Sequence, residues 1–126
     1  MKSRDGLVRL KRFQVEEKRR QVAQIEAMIA EFERMAKELN DQILAEQERS
    51  GIHDAGHFAY PTFAKAASQR RDNLAASGVA LKEQLVAARA EYDEAAAELE
   101  KVEAIAERDQ ALEKLQQKHP PEARAS

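Results

Sequence analysis

Cysteine and tryptophan are absent from this 126-residue chain, which also holds only four glycines, three prolines, four phenylalanines and two tyrosines. Without cysteine there is neither a disulfide nor a thiolate metal site, and a reducing compartment is permitted. Aromatics make up 5% of the residues and charged side chains 35%, which is thin material for a globular core. No apolar run approaches the roughly 18 residues that a membrane span needs. The opening Met1-Lys-Ser-Arg-Asp-Gly has none of the apolar core of a secretory signal. These absences point to a soluble, cytoplasmic protein with no direct membrane insertion.

Catalytic ingredients are scarce too. There is no cysteine nucleophile, no glycine-rich phosphate loop and no Ser/His/Asp arrangement, and the carboxylates fall on solvated helical positions. No catalytic residue, no enzymatic activity and no cofactor are expected. His53 and His57 are four apart with Asp54 between them, a spacing that grips a metal on a helix. No third ligand is convincingly spaced and the segment reads as a loop, so no metal is expected there.

What the chain does have is Ala, Glu, Gln, Lys, Arg and Leu, the mixture of long helices and coiled coils. Val8, Val15, Val22, Ile29, Ala36 and Ile43 recur every seventh residue. With these at heptad position a, position d holds Lys11, Lys18, Ile25, Phe32 and Leu39. A second series places Ala67, Leu74, Leu81, Ala88, Ala95 and Val102 at d, with Arg71, Gly78, Leu85, Tyr92 and Leu99 at a. Sustained heptads of this kind specify a coiled coil. After Val102 the stripe is expected to slip in phase to Ile105, Leu112 and Leu115.

Between the two series lies Ser50-Gly-Ile-His-Asp-Ala-Gly-His-Phe-Ala-Tyr60, followed by Pro61. Two glycines and a proline mark a turn, with Gly51 as a helix C-cap and Pro61 at the start of the next helix. The expected fold is all-α, a long antiparallel two-helix coiled-coil hairpin. Its helices run over about 3–49 and 61–118, with a turn at about 50–60, forming one domain over 1–118. His119-Pro-Pro stops the second helix and 119–126 is expected to be a disordered tail.

Register follows from the layers. Opposed residue numbers that sum to about 110 pair every layer consistently, an a position facing a d position. Ile25 then meets Leu85, Ile29 meets Leu81, Phe32 meets Gly78 and Ile43 meets Ala67. The net charge is −2, but it is unevenly spread. Residues 1–20 carry eight Lys/Arg against three acids, and 91–109 carry eight acids against two bases. The chosen register lays the basic stretch beside the acidic one, which supports the pairing.

Three features have two readings each. Lys11 and Lys18 stand at d, where Arg4 continues the series. Either their amines snorkel to acids of the other helix, with Lys18 also facing Tyr92, or the open end is polar so that a partner completes it. Gly78 either makes room for the Phe32 ring or acts as a hinge. Phe58, Tyr60 and Phe63 either cap the turn or form a docking patch. The basic N-terminus is interrupted by Glu16 and Glu17 and neutralised by the acidic helix, so no nucleic-acid partner is expected.

The opening Met1-Lys-Ser-Arg-Asp-Gly-Leu-Val-Arg-Leu-Lys-Arg-Phe-Gln-Val-Glu-Glu-Lys-Arg-Arg-Gln-Val22 resembles the N-terminus of the FliJ family, soluble components of the flagellar type III export apparatus. His57-Phe-Ala-Tyr-Pro-Thr-Phe-Ala64 and Gln69-Arg-Arg-Asp-Asn-Leu74 are similar to its alphaproteobacterial branch. The resemblance implies an antiparallel hairpin like the stalk of rotary ATP synthases. It implies binding to the export ATPase hexamer, contact with the export gate membrane protein and escort of export chaperones, at the inner-membrane export apparatus in a motility system. The matching residues are Arg4, Leu7, Arg9, Leu10, Lys11, Arg12 and Phe13 on the first helix; separately, the docking-patch reading of Phe58, Tyr60 and Phe63 makes the turn a candidate second contact. The stretch from Gln116 onward departs from the family's pattern. Two other functions fit a bare hairpin: a scaffold or chaperone-like clasp for client helices, and an RNA-binding helical arm.

Overall fold

A computed structural model describes residues 2–118. Two helices account for almost all of them, α1 over Lys2–Ser50 and α2 over Thr62–Lys118. They pack against each other as an all-α hairpin, with no strand among the described residues. The expected stop at His119 and the tail 119–126 lie outside the described residues. Contacts divide the chain into two compact units, one of Met1–Gln21 with Ala88–Ser126 and one of Val22–Ala87.

In the unit Val22–Ala87, apolar heptad residues form two clusters. Ile29, Leu81 and Leu85 are buried together, with Val22, Ile25 and Phe32 packed on them. Ile43, Ala64 and Ala67 form the second, covered by Leu39 and Tyr60. Ile29 therefore shares a layer with Leu81, and Ile43 with Ala67, as the register expected. Arg71, the charged a residue, sends Nη1 to Asn40 Oδ1 on α1 at 2.8 Å. Lys82 pairs with Glu33 at 3.4 Å across the seam.

The helix ends follow local chemistry. Gly51 has φ +77°, the left-handed conformation that L side chains resist. Its N–H donates to Gln47 O at 2.8 Å. The turn is closed by Asp54, which accepts from Gly56 N at 2.9 Å through Oδ1 and from His57 N at 3.0 Å through its carbonyl. Pro61 stands just outside α2, its carbonyl accepting from Lys65 N at 3.1 Å. Along the exposed faces, Arg19, Arg34 and Arg49 each bond a glutamate three residues earlier. Those bonds hold the carboxyls of Glu16, Glu31 and Glu46 below the ordinary glutamate range. A depressed carboxyl favours the helix above its unfolded-state value and loses that contribution as pH falls through the lowered one.

In the unit holding both ends of the pair, Val8, Ala88 and Ala106 are buried, and Val15, Tyr92, Ala95, Leu99 and Val102 are half-buried. The expected slip in phase after Val102 does not occur. Ala106, Asp109 and Glu113 keep the seven-residue spacing from Leu99 and Val102 and stay covered, whereas Ile105, Leu112 and Leu115 are exposed. Val8 and Ala106 are both buried and line one cleft, and Glu113 is held by Arg4. A switch to the bulkier stripe would turn Ala106 out of the seam and part Glu113 from Arg4.

Gly78 also differs from expectation. A Cβ there would meet nothing within 4 Å, so the Phe32 ring does not require a glycine. Both residues line an open groove of about 340 Å³ together with Ala36, Leu74, Ala75 and Val79. Glycine costs a helix interior about 1 kcal/mol relative to alanine. Gly78→Ala should therefore raise the melting temperature, and a lowered one would show that the layer needs that space. Gly51→Ala should act in the opposite direction, because a left-handed residue with a Cβ costs roughly 1–2 kcal/mol. Thermal unfolding followed by circular dichroism measures both.

Candidate partner-binding site

The basic stretch of α1 and the acidic stretch of α2 lie side by side; among the described residues three of the ion pairs below join them, and Arg4–Glu113 lies just beyond the acidic stretch. Arg4 Nη1 meets Glu113 Oε1 at 3.2 Å, Lys11 Nζ meets Glu98 Oε2 at 3.1 Å, Arg12 Nη2 meets Glu103 Oε2 at 2.9 Å, and Lys18 Nζ meets Glu91 Oε2 at 3.3 Å. Lys11 and Arg12 are consecutive and so project about 100° apart around the helix. Their pairs straddle the seam, Lys11 on one flank and Arg12 on the other. Lys18 follows Lys11 by one heptad, on the same flank.

The d-position cations are thus satisfied within the pair. Their aliphatic stems cover the seam while the ammonium groups reach the flanking glutamates, the snorkelling arrangement. Lys18 directs its charge to Glu91 rather than to the Tyr92 ring. Arg4 is the most covered of the series, its side chain 11% exposed, and its Nε makes no hydrogen bond, lying 3.9 Å from Asp5 Oδ1. Arg4 is therefore a seam residue and not part of an open face, because a d position turns it inward over Glu113.

The other residues of the N-terminal patch face outward. Leu7, Leu10 and Phe13 are exposed large apolar residues. Arg9 is exposed and has no partner among the described residues. Asp5, Val8, Arg9, Arg12, Glu103 and Ala106 line a cleft of about 380 Å³ at this end. Polar and mixed in charge, the cleft presents no concentrated positive or negative field.

At the turn, the three aromatics part company. Tyr60 packs on Ile43, Ala64 and Ala67, and its hydroxyl accepts from Gln47 Nε2 at 2.9 Å. It caps the hairpin. Phe58 is 97% exposed, stacked at 4.7 Å on the His57 ring, and Phe63 is also exposed. His57 uses Nδ1 to accept from Ala59 N at 3.0 Å, a bond that holds the turn. Among the described residues no group of three or more His, Cys, Asp and Glu is placed to hold a metal. No described helix is long and apolar enough to cross a membrane.

Sequence reasoning assigned no exposed role to Ile105, Leu112 and Leu115. Continuing the unbroken heptad past Val102 would have left them outside the seam. The glutamates that receive the cations were legible only as an acidic stretch, because which carboxylate a flexible lysine reaches depends on the rotation of the two helices. No family model matches this chain, and neither a curated protein nor a solved structure is significantly similar to it.

Exposed ion pairs contribute about 0–1 kcal/mol each, less than a well-packed leucine side chain removed from water, about 1.5–3 kcal/mol. Lys11→Leu with Lys18→Leu should therefore raise the denaturant midpoint at unchanged m-value. A lowered midpoint would show that the cations, and not their stems, hold this part of the seam.

Proposed function

We propose that this chain is a non-enzymatic component of the bacterial flagellar protein export apparatus. In this reading the hairpin binds the export ATPase ring as a stalk and helps deliver chaperone or substrate to the export gate membrane protein, in the cytoplasm at the inner membrane. The observation that carries it lies on the first turns of α1. Leu7, Leu10, Phe13 and the unpaired Arg9 stand outward, beside a seam whose own charges are already matched. Folding does not use those four side chains. Apolar anchors with an arginine among them are the residue types that dominate protein interfaces. The resemblance of the same stretch to the FliJ family supplies the identity of the partner.

A scaffold or chaperone-like clasp is the second reading, favoured by the open apolar groove at Phe32, Leu74 and Gly78 with Val79 and Val86 exposed beside it. The first reading predicts that the ATPase contact depends on the N-terminal patch and not on that groove.

Arg9→Glu, Leu10→Ser and Phe13→Ser together remove exposed groups only, so helical circular dichroism should be unchanged. Binding to the purified export ATPase should fall at least tenfold, roughly the loss of one interface anchor, and swimming should fail in cells carrying only this variant. Wild-type binding and motility would rule the reading out. Val79→Ser, in the groove, should leave ATPase binding intact.

A further inference from the structure

We infer that the groove at Phe32 and Gly78 receives a second copy of this chain, in a two-fold pair that seats Val86 of each copy in the groove of the other. The groove lies within the unit Val22–Ala87 and holds about 340 Å³. Phe32, Ala36, Leu74 and Gly78 are half-buried seam residues that form its floor, and the exposed Ala75 and Val79 stand beside them. The fold makes no use of the space over Gly78. A Cβ there would meet nothing within 4 Å, and Gly51 alone among the described residues has a positive φ. Neither close packing within the chain nor backbone strain therefore calls for a glycine at 78. Val79 and Val86 are spaced i, i+7 on α2 and are 60% and 69% exposed, so both project from the flank that carries the groove. Val86 stands eight residues from Gly78, about 12 Å along the helix. One flank thus holds an apolar projection and an apolar recess side by side.

Charge selects the occupant. The charges around the groove are matched within the chain: Lys82 bridges Glu33 at 3.4 Å, Lys37 bridges Asp41 at 3.5 Å and Arg71 bridges Asp72 at 3.3 Å. Between Asn73 and Arg89, α2 carries no charged residue but Lys82 and Glu83. A strongly charged partner helix would find nothing in the groove to pair with, whereas an apolar surface with matched charges docks there without stranding any. This chain presents such a surface on the same flank. In a two-fold pair every contact occurs twice. An axis beside Lys82, midway between Gly78 and Val86, runs the two α2 helices antiparallel and sets each Val86 over Gly78 of the other copy. Each lysine at the axis is already bridged to Glu33, and Glu83 beside it offsets the approach of the two cations. The stripe from Ala75 to Val86 covers about 17 Å of helix, short for a permanent interface, so the pair forms and parts with concentration. The inference names an occupant for the groove on which the clasp reading rests, and it does not depend on the export reading.

Sedimentation of the full chain from about 10 μM to about 1 mM should follow a reversible monomer–dimer equilibrium, no weaker at high salt than at low. Val86→Lys should weaken it at least tenfold at unchanged helicity, because that side chain is exposed in the single chain. The chain lacks cysteine, so placed cysteines report the register. A mixture of Gly78→Cys and Val86→Cys chains should oxidise to a cross-linked pair at least tenfold faster than either variant alone, since a disulfide forms only where the two residues approach closely. A chain that stays monomeric over the whole range overturns the proposal. So does a dimer that Val86→Lys leaves intact, or cross-linking that is as fast within a single variant. A monomer that takes up a synthetic leucine-striped helix in the groove also overturns it, giving the site to a client helix. A dimer that fails to bind the export ATPase leaves this inference standing and removes the export reading, and a monomer that binds the ATPase does the reverse.

Discussion

Each helix of this protein has one partner helix. A helix in a globular domain is covered on two or three sides, whereas here a single seam takes all the burial available. The consequence is visible at every layer. Among the described residues nine apolar side chains are buried, four of them alanines, and no polar or charged residue joins them. Val15, Val22, Ile25 and Leu39 sit on the correct stripe yet remain half-exposed, because nothing closes the seam from the sides. Stability must then come from length and from small side chains that bring the backbones close, such as Ala64, Ala67, Ala88 and Ala106.

The same constraint lets cations stand at seam positions. A lysine at d in a closed bundle would lose its hydration. In a two-helix seam its ammonium group needs to travel only to the flank, where Glu91 and Glu98 receive it. Charges placed this way add little to stability but discriminate between pairings, since a shifted register would part each lysine from its acid. In the unit of Met1–Gln21 with Ala88–Ser126 this complementarity flanks a seam that also buries Val8, Ala88 and Ala106.

Outside the seam, the surface divides into solvated charge and a few groups of apolar side chains that folding leaves unused. Intrahelical Glu–Arg pairs occupy much of the former. Leu7, Leu10, Phe13, Ile105, Leu112 and Leu115 concentrate on the unit that holds the chain's two ends, and Phe58 and Phe63 lie at the turn. Met28, Leu44, Val79 and Val86 are exposed as well, along the unit Val22–Ala87.

Composition and the seven-residue period by themselves determined the class of fold, the position of the turn and the layers from Ile25 to Ile43, because heptads and the Gly/Pro punctuation act locally along the chain. They likewise determined that Gly51 would take the left-handed turn. The tertiary structure alone decided the rest, for physical reasons. Past Val102 both an unbroken heptad and a slipped one were available to the sequence. The burial of Ala106 and the hold of Arg4 on Glu113 go with the former, and Ile105, Leu112 and Leu115 face outward. Arg4 was legible as a cation but not as a covered one, because burial at d depends on how closely the facing helix approaches. The three turn aromatics were indistinguishable in sequence. Only the folded turn sent Tyr60 onto Ile43 and left Phe58 in water.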